Sequence, residues 1–199
     1  MLVLALLVLD CYNSPYMDII TEKLRGFELQ FKTKAGVFSE KGLDSGTRIL
    51  IGNMEVHDGT LVADLGSGTG VLGFFAAKLN PSGHVHLLED HLRSAELAKE
   101  NSELNNFKNV EVFFSDLFSA VGDRTYHLIV ANPPAHLGNE FLEETASECF
   151  KHLKSKGEVW WVVPKYLKPV IERLFKKYFG NSTIVATGAQ HFVVKGVKA

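Results

Sequence analysis

The sequence predicts an α/β domain: a mainly parallel sheet of seven strands with helices on both faces and a C-terminal antiparallel hairpin strand. Three observations carry that expectation. From residue 60 onward, short apolar runs alternate with amphipathic stretches of helical length, the pattern of a parallel sheet with crossover helices. Two of the runs end in loops unlike the rest, Asp64-Leu65-Gly66-Ser67-Gly68-Thr69-Gly70 and Asn132-Pro133-Pro134-Ala135. The last two runs are separated by Gly188-Ala189 alone, too short for a crossover, so at least one of them runs antiparallel.

The elements follow in order. Met1 to Leu9 are apolar and the run ends at Asp10, well short of the roughly 20 residues of a membrane helix. It lacks the basic start and the cleavage site of a signal peptide, and reads as a strand or a packing segment. Residues 17–25 read as a short helix. Phe27 to Phe31 alternates apolar and polar side chains, with Gly36-Val37-Phe38 as its expected hairpin partner. Residues 1–35 are thus an N-terminal extension to a main domain at 36–199. Asp44-Ser45-Gly46-Thr47 opens a helix over about 47–54. Strands are expected near 60–64, 84–89, 110–114, 126–131 and 157–163, and helices near 70–79, 91–105, 139–154 and 165–178. Gly180-Asn181 ends the last helix, and strands over 182–187 and 190–195 close the chain.

Composition bounds the function. The 199 residues suit one domain. The net charge of −2 hides an asymmetry: residues 51–150 hold 5 Lys/Arg against 15 Asp/Glu, and residues 151–199 hold 10 against 2. A basic end can face a polyanion, although Lys151, Lys154, Lys156, Lys165, Lys168, Arg173, Lys176 and Lys177 also suit a solvated helix surface. Cys11 and Cys149 match no metal or redox spacing and fit buried thiols in a reducing cytoplasm. The eight histidines form no ligand pattern, so no metal is expected, and no membrane partner.

The glycine loop suits a nucleoside cofactor. Gly66, Gly68 and Gly70 allow backbone angles closed to other residues and a close approach to a ligand. Asp64 at the strand end can hold an ammonium or order a water beneath the loop. Glu89, 19 residues past Gly70, can accept both ribose hydroxyls, and Asp116 after the third strand can accept from an adenine amino group. The spacing is G-x-G-x-G rather than G-x-G-x-x-G, and an acid precedes it; both favour S-adenosylmethionine over NAD. In Asn132-Pro133-Pro134 both prolines lack an N–H and hold the segment extended. The Asn132 oxygen and the Pro133 carbonyl can then accept both hydrogens of a planar NH2 and expose the nitrogen lone pair. Asn132 is a poor general base, so catalysis would be positioning plus polarisation by fixed acceptors.

On these residues the sequence resembles the class I S-adenosylmethionine-dependent methyltransferases, over about residues 23 to 195. Within them it resembles the small-domain family related to the small-subunit ribosomal RNA guanine-N2 methyltransferases. The most specific stretch is Phe31-Lys32-Thr33-Lys34-Ala35-Gly36-Val37-Phe38-Ser39, continuing through Gly42-Leu43-Asp44-Ser45-Gly46-Thr47. Leu97-Ala98-Lys99-Glu100-Asn101 with Leu104-Asn105-Asn106 resembles the family's second helix. The resemblance implies a Rossmann-like methyltransferase domain. It places Asp64, Gly66, Gly68 and Gly70 on the methionine part of the cofactor, Glu89 on the ribose and Asp116 on the adenine. It places Asn132, Pro133 and Pro134 on the base to be methylated, with Phe38 walling the pocket. Where many amino-methylating relatives carry an aromatic after Pro-Pro, this chain has Ala135 and then His136, which could contact substrate by stacking or donating or could cap the next helix. It also has one copy of a domain that better-known bacterial members carry twice. The expected activity is N-methylation of an exocyclic RNA amine, guanine N2 of ribosomal RNA or of a ribosomal particle foremost. Adenine N6, a protein glutamine amide, or a non-catalytic cofactor-binding RNA module stay open at this point.

Overall fold

In the computed structural model the described residues are 18–33 and 43–199. Among these residues, nine strands and five α-helices follow in chain order: β1 Asp18–Leu24, β2 Phe27–Thr33, α1 Ser45–Asn53, β3 Leu61–Leu65, α2 Val71–Leu79, β4 His84–Glu89, α3 Leu92–Leu104, β5 Val110–Phe114, β6 Tyr126–Ala131, α4 Gly138–His152, β7 Leu153–Pro164, α5 Lys168–Phe179, β8 Thr183–Thr187 and β9 His191–Val197.

Seven of the strands form one sheet in the order β5-β4-β3-β6-β7-β9-β8. The five from β5 to β7 are mutually parallel, and β9 runs antiparallel to both of its neighbours. The mainly parallel sheet and the terminal hairpin are therefore as the sequence predicts. The central strands are buried on both faces, which is why they read as unbroken apolar runs rather than as alternation. Val62, Val130 and Trp160 pack on one face with α1, α2 and the β2 residues Leu29 and Phe31. Their chain neighbours Ala63, Ile129 and Trp161 pack on the other, with α4 and α5.

The expected helix over 17–25 is instead a strand, and β2 pairs with it in a hairpin. Arg25 (φ 52°) and Gly26 (φ 81°) make the two-residue turn, whose positive φ values match the twist of a hairpin. The misreading has a physical source. Ile20, Glu22 and Leu24 share the less exposed side of β1, and the middle one is an acid, which breaks the apolar alternation of the sequence. Glu22 is 8% exposed and is satisfied there: it accepts from Leu43 N (2.9 Å) and from Arg48 Nη2 (2.8 Å). The expected pairing partner at 36–38 lies outside the described residues, as do Phe38 and the apolar run at 1–9.

The hairpin is tied to α3 by two asparagines. Asn101 Oδ1 accepts from Lys32 N (2.7 Å) while its Nδ2 donates to Lys32 O (3.3 Å); Asn105 repeats the exchange with Gln30 N (2.9 Å) and Gln30 O (2.7 Å). Four helical residues rise about 6 Å and two strand residues about 6.7 Å, so side-chain amides one turn apart match alternate residues of a strand. Asn101 Nδ2 also donates to Thr69 O (3.2 Å), joining hairpin, helix and glycine loop at a fully buried side chain. Asn101→Ala leaves those backbone groups unsatisfied, and is expected to lower unfolding stability by about 1–3 kcal/mol. A denaturant titration checks it; an unchanged midpoint would remove the amide from the account.

Candidate active site

The site is built at the carboxyl ends of β3 and β6. These strands are adjacent and in register, Asp64 beside Val130 and Leu65 beside Ala131. The glycine loop after one and the Asn-Pro-Pro segment after the other therefore start level and side by side. A cavity of about 520 Å³ opens between them, lined by Leu65 and Gly66 from the first loop and by Asn132, Pro133 and Pro134 from the second.

The loop is held by what surrounds it. Gly66 (φ 68°), Gly68 (φ 56°) and Gly70 (φ 92°) all lie in the left-handed region, which glycine alone occupies without cost. At Gly70 a Cβ would also sit 2.6 Å from the Phe74 ring. Gly66 N and Ser67 N both donate to Leu88 O, at 2.9 and 3.1 Å. Glu89 completes the tie: Oε2 accepts from Gly68 N (2.6 Å) and Oε1 from His91 N (3.0 Å). It is 6% exposed, and burial raises its pKa against the pull of those two amides.

Asp64 sits beneath the loop rather than in the cavity wall. It is 1% exposed, and its Oδ2 accepts from Gly73 N at 2.7 Å. Gly73 is the third residue of α2, whose N-cap, Gly70, has no side chain to offer, so Asp64 supplies the missing cap from the strand. Burial pushes its pKa up to about 7; the Gly73 amide opposes this and the Glu89 charge adds to it.

Asp116 is exposed on the cavity wall and is presented by a tight turn. Leu117 takes a positive φ of 45°, and Ser115 Oγ closes the turn by donating to Leu117 O (2.8 Å) and accepting from Ala120 N (3.1 Å). Across the cavity, Pro134 is extended (φ −67°, ψ 105°), and a 3₁₀ turn, Ala135–Leu137, leads into α4. Asn132 is half-buried; its Nδ2 donates to Thr47 Oγ1 (3.0 Å) and to Asp44 Oδ2 (3.2 Å) at the start of α1.

The cavity thus collects Gly66, Glu89, Asp116, Asn132, Pro133, Pro134 and His136 of the sequence-predicted residues. Asp64, Gly68, Gly70 and Ala135 shape its frame without lining it, and Phe38 lies outside the described residues. The resemblance implies that the run holding Asp44 and Thr47 closes over the cofactor and the target base, but it named no contact of either with Asn132; Phe141 of α4, whose ring joins the wall, was given no role. A helix-capping Asp44 was legible in Asp-x-x-Thr; its contact with a residue 88 positions away was not.

The wall suits a cationic nucleoside better than a pyrophosphate. Among the described residues it carries Glu89, Asp90 and Asp116, with neither lysine nor arginine, beside Leu65, Leu88, Leu117 and Phe141. Ser67 Oγ, buried within the glycine loop, has no hydrogen-bond partner. No group of three or more potential metal ligands occurs among the described residues.

Comparison with known proteins decides the family. The methyltransferase small domain matches residues 28–195. The chain belongs to the methyltransferase small-domain family. Membership makes S-adenosylmethionine the cofactor, and the acidic, pyrophosphate-averse wall of the cavity agrees with it. The uncharacterized protein YbxB of Bacillus subtilis is 33% identical over 182 residues, 88% of this chain and 89% of that one. Ribosomal RNA small subunit methyltransferase C of Vibrio cholerae is 37% identical over 158 residues, 76% of this chain and 45% of that one. Among solved structures, the T. thermophilus 16S rRNA N2 G1207 methyltransferase, in complex with AdoMet and guanosine, superposes with a TM-score of 0.82 at 26% identity. That match covers 93% of this chain and 52% of the other, so the chain spans about half the length of the ribosomal RNA methyltransferases it matches.

Asp64 gives the fold a pH signature. An acid that holds its proton more tightly folded than unfolded contributes fully below its unfolded pKa of 3.8, and loses that contribution as pH rises toward about 7. Asp64→Asn keeps an acceptor for Gly73 N and removes the titration. Thermal melts from pH 4 to 8 are expected to show the variant gaining on the wild type as pH rises. A constant difference between the two curves would count against a raised pKa.

Proposed function

We propose that this methyltransferase transfers the methyl group to an exocyclic amine of RNA, with guanine N2 of ribosomal RNA as its target. The observation that carries the reading is the shared cavity: an acceptor-bearing Asn-Pro-Pro segment faces the cofactor loop across a single space. S-adenosylmethionine supplies an electrophilic methyl on sulfonium. The chain's own residues do the rest by placement. Glu89 and Asp116 hold the nucleoside by its hydroxyls and amino group, and the acidic side chains of the wall favour a cation. Asn132 and the Pro133 carbonyl accept the amine hydrogens and keep the nitrogen lone pair on the line of attack, a positioning and electrostatic contribution. Asn132, an amide with no basic site, would not take the amine proton, which would leave to water once the nitrogen carries the methyl group.

The rim around this cavity supports RNA as the substrate. Of the five large apolar side chains exposed among the described residues, four follow the carboxyl ends of the parallel strands: Leu92 after β4, Phe114 at the end of β5, Leu137 after β6 and Tyr166 after β7. Tyr166 is 71% exposed and stands between the exposed Lys165 and Lys168. An aromatic face flanked by cations suits an unpaired nucleotide and its phosphates. A base inside a duplex cannot reach the cavity, so the target is single-stranded or flipped out. The names of two relatives, a small-subunit ribosomal RNA methyltransferase C and an rRNA N2 G1207 methyltransferase, favour ribosomal RNA and guanine N2 in particular. Such RNA places the work in the cytoplasm.

Incubating ribosomal RNA with the protein and S-adenosylmethionine, then digesting to nucleosides for mass spectrometry, is expected to yield N2-methylguanosine. Asn132→Ala should lower kcat by about 100-fold or more and leave cofactor affinity nearly unchanged. N6-methyladenosine, or label confined to protein, would replace the guanine assignment with one of the other planar amines. Tyr166→Ala is expected to raise the KM for RNA about fivefold or more through lost stacking, with kcat little affected; an unmoved KM would take Tyr166 out of the substrate surface.

A further inference from the structure

A side-chain amide can meet a ligand as an acceptor or as a donor, and the two orientations recognise opposite partners. For Asn132 the choice is made outside the cavity. Its Nδ2 lies 3.2 Å from Asp44 Oδ2 and 3.0 Å from Thr47 Oγ1. A carboxylate has no hydrogen to give, so turning the amide over would set two oxygens against each other. Both Nδ2 hydrogens are engaged in this arrangement, and Oδ1 is the polar atom the amide has left. Asn132 lines the cavity, whereas Asp44 and Thr47 do not.

Asp44 can impose this because it is itself fixed. As N-cap of α1 it accepts from Gly46 N (2.7 Å) and Thr47 N (3.2 Å) through Oδ1, and from Thr47 N (3.3 Å) through Oδ2. The first turn of α1 is wedged against β9: a Cβ on Gly46 would lie 3.2 Å from the His191 ring. Thr47 is 8% exposed. The clamp therefore joins a helix start packed on the sheet to the reacting segment beside it.

We propose that Asp44, assisted by Thr47, is a positioning residue that locks the Asn132 amide with its oxygen toward the cavity. The site then takes a nucleophile that donates hydrogen, an NH2 group, and turns away one that only accepts. This rests on the methyltransferase reading above. It also assigns a task to the Asp-Ser-Gly-Thr run, whose Asp44, Gly46 and Thr47 each have a place in the clamp.

Asp44→Asn tests it. Asparagine caps helices as well as aspartate does, so the melting temperature and the cofactor dissociation constant should hold. The variant presents amide hydrogens where Oδ2 stood, and kcat for RNA methylation should fall about tenfold or more with the KM for cofactor unchanged. Thr47→Val should also lower kcat, and Thr47→Ser, which keeps the oxygen, should recover it. A second measurement does not depend on turnover. The side-chain 15N–1H resonances of Asn132, identified by their loss in Asn132→Ala, should shift in Asp44→Asn. Wild-type kcat in Asp44→Asn, or Asn132 amide resonances that stay in place, would overturn the proposal. If wild-type protein binds S-adenosylmethionine but methylates neither RNA nor protein, the functional reading fails alone, and the resonances still decide the clamp.

Discussion

Between β3 and β6 the order of the sheet reverses. From β3 the chain builds outward through β4 and β5; it then returns to the other side of β3 and builds outward through β6 and β7. The crossovers leave in opposite directions, so the carboxyl ends of these two strands diverge into a crevice that no helix fills. Every other feature of the site depends on this one pairing. The register of Leu65 with Ala131 sets the glycine loop and the proline segment at one height. A shift of one residue would turn Asp64 out of its pocket under α2 and exchange the two apolar faces of β3, Val62 for Ala63. The site cannot slip without unmaking the core.

That geometry requires a loop of left-handed glycines, and acids hold the loop in place. Three left-handed glycines in five residues do not form a stable turn unaided. Glu89 grips the middle of the turn from β4, and Asp64 caps the helix that follows it. Both carboxyls are at least nine-tenths buried, and neither has a basic partner at hydrogen-bonding distance. Burial raises the pKa of each, so ionising either carboxyl without a ligand carries a cost that a nearby cation would lower. A cationic cofactor supplies the compensation. The same groups that brace the loop therefore favour a positively charged ligand, and some fold stability is given up to keep that preference.

Most of the fold was legible in the sequence because the central strands are buried on both faces. Val-Trp-Trp-Val-Val in β7 cannot be a surface strand, and the Gly and Asn-Pro-Pro signals mark where such strands stop. Legibility failed where a polar residue serves an inward position. Glu22 hid the alternation of β1, because its partners, Leu43 N and Arg48, are some twenty residues on. Asn101 and Asn105 stood out only as part of a likeness to the family's second helix, yet they act as the missing neighbour of an edge strand. At the site, the glycines and the Asn-Pro-Pro segment were visible as local patterns. The Asp44 cap was visible too, but its grip with Thr47 on Asn132 and the place of Phe141 in the wall were not, because residues far apart in sequence make these contacts and no local spacing encodes them.

The charge asymmetry of the chain becomes spatial in the same way. The acidic stretch 51–150 builds β3 to β6 and with them the cofactor side of the crevice, where Glu89, Asp90 and Asp116 stand. The basic stretch 151–199 builds β7 to β9 and α5. Much of its positive charge is locally engaged: Lys177 with Glu143, Lys151 with Glu148 at 2.6 Å and Lys168 with Glu172 at 3.9 Å, which agrees with a solvated helix surface. Salt bridges at such exposure are weak, about 0–1 kcal/mol, and a phosphate can displace the carboxylate at little cost. The rim after β7, with Lys165, Tyr166 and Lys168, borders the Asn-Pro-Pro segment because β7 pairs with β6. A polyanion is drawn to that side and repelled from the acidic one. On the proposed reading, a nucleotide chain laid along the basic rim would be kept out of the acidic half of the crevice, and a base turned inward would meet Asn132 at the boundary between the two fields.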